Sequence, residues 1–230
     1  MIALAEALSR ASADPRCHAI ILTGNGAFCA GVDLDALASS PIGAKSAAEA
    51  YEVPQSMVKA LLASPVPTIA AVDGPAVGLG MDLALACDMR LVGPDGWLMQ
   101  GWSKVGLIPA TGGAMFLERL APGAIWRLID TQPRLDGDAL RDLGVAEKAE
   151  PTGLAAACAR AGRFASSPRS LLEGYVSVSR SEIRARSDEH LRNAAEVQFQ
   201  LMSVQGSYRS KAAELKQKLG RNDGPTSPRP

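Results

Sequence analysis

Two short glycine-bearing segments constrain this chain more than anything else in it. Ala27-Phe-Cys-Ala-Gly-Val-Asp-Leu34 follows a β-branched run, His18-Ala-Ile-Ile-Leu-Thr23, and a Gly24-Asn25-Gly26 turn. Asp73-Gly-Pro-Ala-Val-Gly-Leu-Gly-Met-Asp82 follows a second apolar run, Pro67 to Val72, and continues through Leu83-Ala-Leu-Ala-Cys-Asp88. Each segment joins an extended stretch to a loop or helix through glycines, which let the backbone take unusual dihedrals and approach a ligand closely. Two such turns from distant parts of one chain can aim two backbone N–H groups at one oxygen. A carbonyl that gains negative charge during a reaction needs that arrangement.

The rest of the pattern alternates strand and helix. Residues 2–12 carry apolar positions at helical spacing and end before Asp14-Pro15. Strands are predicted at 18–23, 67–72 and 89–92. Helices are predicted at 46–63, 79–87, 113–120, 123–130, 137–143 and 151–165. Residues 35–53 read as a surface loop running into the helix at 46, and 97–108 are mixed. From Leu171 to Leu219 the chain is mostly helical, polar and charged, and the Pro-rich tail 222–230 reads as disordered. The expected division is therefore a core over 1–165, a helical segment over 166–221 and the tail over 222–230, all in the α/β class.

The two glycine segments resemble the crotonase superfamily, the enoyl-CoA hydratase/isomerase family. That family shows Phe-x-Ala-Gly-x-Asp at the first place and Gly-x-Ala-x-Gly-Gly-Gly-x-Glu at the second, in this order. The flanks Ala19 to Thr23, Ser64 to Gly74, Cys87-Asp88 and Val105-Gly-Leu-Ile-Pro109 before Gly112-Gly113 also resemble it. The resemblance implies a spiral of ββα units with a C-terminal helical segment, and enoyl-CoA hydratase or isomerase chemistry on fatty acyl-CoA thioesters. It implies an oxyanion hole made by the backbone N–H groups of Val32 and Leu79, and a CoA-binding strip including Ala30, Val32, Asp33 and Gly78, with Asp33 pinning its loop. It also implies assembly as a homotrimer or hexamer. No cofactor is expected beyond the coenzyme A of the substrate.

Departures from the family pattern bear on the chemistry. Hydratases of this family use two glutamates, the first of which corresponds to Asp82, with one C–C bond less reach. It is a possible single acid/base, or a residue favouring the first turn of its helix. The second glutamate position holds Trp102, either a wall of the acyl pocket or core, and the further site that is acidic in some members is Ala110. Two carboxylates acting on one water are absent. One base suffices for double-bond isomerisation, and none is needed by a non-catalytic acyl-CoA binder, which is the alternative function. A structural subunit is the third reading. The family's opening strands have no counterpart before residue 2. Near the C-terminus Ala213 stands where a Phe is expected, and Lys216 or Lys218 could meet a CoA phosphate or lie on a solvated helix face.

Composition excludes other classes. Lys+Arg and Asp+Glu both number 24, so there is no basic field for nucleic acid. The four cysteines form no Cys-x-x-Cys pair and neither histidine has ligand-like spacing, so no metal site is expected. Cysteines so scattered read as reduced thiols of a cytoplasmic protein, and no apolar run is long enough for a membrane span. Gly78-x-Gly80 lacks the third glycine of a dinucleotide site, and no histidine neighbours a nucleophile motif.

Overall fold

A computed structural model describes residues 1–35, 46–205 and 207–222. Its order is α1 (Ile2–Ala13), β1 (Ile20–Thr23), α2 (Ala47–Ala63), β2 (Thr68–Val72), β3 (Pro75–Val77), α3 (Leu79–Ala86), β4 (Met89–Val92) and β5 (Trp97–Met99). A 3-10 turn (Trp102–Val105), α4 (Gly113–Leu120), α5 (Ala124–Thr131), β6 (Leu135–Asp136), α6 (Gly137–Asp142), β7 (Glu147–Lys148) and α7 (Gly153–Ala165) follow. Three further helices, α8 (Arg169–Ser179), α9 (Ser181–Gln205) and α10 (Ser207–Asn222), complete it.

β1, β2, β4 and β7 form a parallel sheet in that order, with Ile20 opposite Thr68 and Ile69 opposite Met89. All five residues of β2, Thr-Ile-Ala-Ala-Val, are buried, as a strand covered on both faces requires. One face packs into the main core with α1 and α2. The other, through Ile69, Ala71 and Leu91, meets Ala157 of α7. After β2 the chain bends at Asp73 into β3, which pairs in parallel with β5 in a second sheet closed by antiparallel β6. The bend is held by the Asp73 carboxylate, which accepts the Gly153 and Leu154 N–H groups and so caps α7. The succession β2–β3–α3, then β4–β5–α4, is the expected ββα spiral.

Predicted helices and strands agree with the observed ones to within about two residues. No strand is predicted within the glycine segment 73–80, where β3 lies, and the stretch 97–108, read as mixed, holds β5 and the 3-10 turn. Of the loop predicted over 35–53, residues 36–45 lie outside the described residues, and 47–53 belong to α2. Asn222 ends α10, and residues 223–230 of the tail lie outside the described residues. Of the three tryptophans, Trp126 is 74% exposed. Among the described residues, no helix is long and apolar enough to cross a membrane.

The helical segment is not an appendix. Ile183, Tyr208 and Ala212 are buried in the same cluster as the spiral's core. Its strongest tie is Arg180, 3% exposed, on the junction between α8 and α9. The Arg180 guanidinium donates to the carbonyls of Leu61, Leu62 and Ser64 and to both oxygens of Asp88. Asp88 also accepts from the N–H and hydroxyl of Thr68. Burial alone would raise the Asp88 carboxyl, but these bonds and the Arg180 charge outweigh it and hold it below 3.8. Its contribution to stability is therefore present above that pH and is lost as pH falls through the lowered value. Replacing Arg180 by Met should leave Asp88 without its counter-charge and cost about 3 to 5 kcal/mol in urea unfolding. A loss under ~1 kcal/mol would mean that the helices are held by apolar contacts alone.

Candidate active site

The two glycine turns lie side by side and are locked by backbone bonds. Cys29 N–H donates to Pro75 O at 3.0 Å, and Val77 N–H donates to Cys29 O at 2.9 Å. Cys29 and Ala76 form the bridge between the segments. This approach forbids side chains at two places. A methyl group on Gly80 would sit 2.1 Å from the Cys29 carbonyl oxygen, and one on Gly31 would sit 2.9 Å from the Val77 carbonyl oxygen. Gly31 at φ +100° and Gly78 at φ +53° immediately precede Val32 and Leu79, so glycine dihedrals set the direction of both candidate N–H groups.

Leu79 is the first residue of α3, where an N–H has no intrahelical acceptor and the helix dipole reinforces its positive end. Neither the Val32 nor the Leu79 N–H has a backbone acceptor among the described residues. Ala30 is exposed at the lip of the first turn, and Val32 is half-buried against the core. Asp33 is exposed and its carboxylate accepts the Asp35 N–H at 2.8 Å, a local bond that fixes the loop's exit. The ammonium group of Lys216, on α10, lies 2.6 Å from both Asp35 carboxylate oxygens. The last helix thus closes onto the end of the first turn within one chain. Ala213, at the place expected for a Phe, is exposed.

Asp82 and Trp102, singled out separately in the sequence, touch. The indole N–H of Trp102 donates to Asp82 Oδ2 at 3.1 Å. The ring also lines Gly78, at whose α-carbon a methyl group would lie 3.5 Å from it. Trp102 is 8% exposed and belongs to the core cluster, as the core reading requires. The Thr111 hydroxyl bonds the same Asp82 oxygen, and the Gly113 N–H is a further donor. Asp82 is 3% exposed. Burial pushes its carboxyl up to about 7, with the Thr111, Trp102 and Gly113 donors pulling it down. The carboxylate thus faces the first turn of α4, where it also serves as a long-range cap.

Sequence reasoning assigned no role to Thr111, Gln55 or Gln198. The cap position of α4 is taken by Gly112, which leaves the Thr111 hydroxyl to reach Asp82. The amide of Gln55 bonds the carbonyls of Ala110 and Leu191, and Gln198 accepts the Ile108 N–H at 2.7 Å. Both glutamines are buried, and together they hold the turn that carries Thr111.

The profile of the enoyl-CoA hydratase/isomerase family matches residues 1–207. The chain belongs to this family. It is similar to the "Probable enoyl-CoA hydratase EchA14" of Mycobacterium tuberculosis, 41% identical over 117 residues, which are 50% of this chain and 45% of that protein. A mouse relative, "Enoyl-CoA hydratase domain-containing protein 2, mitochondrial", is 34% identical over 152 residues, 64% of this chain and 50% of its own. The chain spans about half the length of the curated relatives it matches. Among solved structures, an enoyl-CoA hydratase/isomerase from Mycobacterium paratuberculosis superposes with a TM-score of 0.82 at 25% identity, covering 92% of this chain and 85% of that one. Pseudomonas aeruginosa OdaA superposes with a TM-score of 0.77 at 27% identity, covering 93% and 86%. The fold is the crotonase fold of these relatives.

The raised carboxyl of Asp82 gives a signed prediction. The native state holds a proton that the unfolded chain has lost once pH exceeds 3.8, so the group's contribution becomes less favourable as pH rises from 3.8 to about 7 and is constant above. Asp82→Asn cannot ionise. Its melting temperature relative to the parent protein should climb across that window and level off beyond it. A constant difference from pH 4 to pH 8 would show that Asp82 titrates like an ordinary carboxylate.

Proposed function

We propose that this chain binds an acyl-CoA thioester, polarises its carbonyl between the N–H groups of Val32 and Leu79, and moves a single proton with Asp82, as an isomerase does. The observation that carries the reading is the pair of interlocked turns with a positive-φ glycine directly before each donor. Two fixed N–H groups, one at a helix N-terminus, stabilise an enolate oxygen at no cost in reorganisation. Asp82 would take a proton from the carbon α or γ to the thioester, the electron pair would move onto the carbonyl oxygen, and the proton would return to the other carbon. A carboxyl near 7 suits a group that both accepts and returns a proton at neutral pH.

Hydration through two carboxylates is disfavoured. Trp102 occupies the second position, and its indole can only donate to Asp82. Ala30, Val32, Asp33 and Gly78 would line CoA and the thioester, Trp102 would wall the acyl chain, and Lys216 would exchange Asp35 for a CoA phosphate. The exposed apolar row Leu171, Tyr175 and Val178 on α8 suits assembly into a homotrimer or hexamer.

One observation favours a second reading, a non-catalytic acyl-CoA binder. The Asp82 carboxylate is enclosed by three donors and nearly inaccessible. A coupled assay with trans-2-enoyl-CoA and trans-3-enoyl-CoA substrates of several lengths, beside calorimetric titration of acyl-CoA, separates the two. Turnover that falls by about 10²-fold or more in Asp82→Asn with binding retained establishes the one-base enzyme. Binding without turnover of any substrate leaves the binder, and absence of both rejects the thioester site itself.

A further inference from the structure

The carboxyl of Asp82 has three neighbouring donors and, when protonated, one hydrogen of its own that also needs a partner. The indole of Trp102 and the N–H of Gly113 carry no lone pair to offer it. Thr111 is the exception, because a hydroxyl can donate to the carboxylate and, by rotating, accept from the carboxylic acid. Thr111 is 1% exposed, and its turn is fixed by Gln55 and Gln198, so this hydroxyl has little freedom to leave. A buried O–H facing only donors would be costly.

We propose that Thr111 is a positioning residue for the reaction: its hydroxyl is the switchable partner that allows Asp82 to hold and to release a proton on Oδ2. The inference rests on the reading of Asp82 as proton carrier. Every group facing the carboxyl is uncharged. Lys104, on the 3-10 turn with Trp102, points at the Met99 sulfur. Glu118 and Arg119, at the far end of α4, bond the Gly123 N–H and the Ser179 carbonyl. The protonation state of Asp82 is thus governed by burial and by these three donors alone.

The test is a pH titration of the full chain labelled with ¹³C at the aspartate carboxyls, with the Asp82 resonance identified by its loss in Asp82→Asn. Thr111→Val and Thr111→Ser are compared with the parent protein. A bond to the ionised form is stronger than one to the neutral acid, so Thr111→Val should raise the Asp82 midpoint by about one pH unit. The same shift should appear in the pH profile of turnover, while acyl-CoA affinity, which also reports that the variant is folded, stays within about twofold. Thr111→Ser should restore the parent midpoint. A midpoint unmoved in Thr111→Val, or one that Thr111→Ser fails to restore, overturns the assignment. The resonance reads Asp82 with or without catalysis. The expected midpoints with no turnover would therefore reject the enzyme reading and with it a part for Thr111 in a reaction, and turnover that depends on Asp82 with an unmoved midpoint would reject only the role of Thr111.

Discussion

The close approach of two backbone segments at Cys29 and Gly80 is the constraint on which the candidate site depends. Only a hydrogen atom fits between the Gly80 α-carbon and the Cys29 carbonyl, and the same holds for Gly31 against Val77. That approach lets Cys29 exchange hydrogen bonds with Pro75 and Val77, which sets the first turn beside the second. The β1–β2–β4–β7 sheet brings both turns to one side of the domain, and α3 then presents the Leu79 N–H at its first position. The proposed carbonyl-binding device is made of backbone and has no side chain to mutate. It is protected by packing rather than by residue chemistry.

The fold holds a buried and a half-buried carboxylate with opposite fates. Asp88 meets a guanidinium and stays ionised, joining the helical segment to the spiral. Asp82 meets only uncharged donors, so burial dominates and its proton is held to near neutrality. One environment makes a structural link, and the other makes a group that can change state under ordinary conditions. Trp102 connects the second to the glycine turn, because its ring lies on Gly78 while its N–H bonds Asp82.

Much of this was legible in residue order. Helix limits followed from periodicity and from breakers such as Pro15, and the glycine segments carried the family resemblance. The three-residue strands β3 and β5 were not legible, because alternation needs more than three positions and the flanking glycines read as turns. The meeting of Asp82, Trp102 and Thr111 was also hidden. These residues are 20 and 29 positions apart from Asp82, and the bonds depend on how α3, the 3-10 turn and α4 pack. Nor could local pattern place Lys216 against Asp35, since that pairing spans 181 positions.

The central claim is that two backbone N–H groups polarise a thioester carbonyl. Isotope-edited infrared spectroscopy of an acyl-CoA labelled with ¹³C at its thioester carbon reads that directly. The account predicts a lower C=O stretching frequency on binding, with the shift reduced or lost in Gly31→Ala, which crowds the first turn. A bound ligand whose carbonyl absorbs at its free-solution frequency would contradict it.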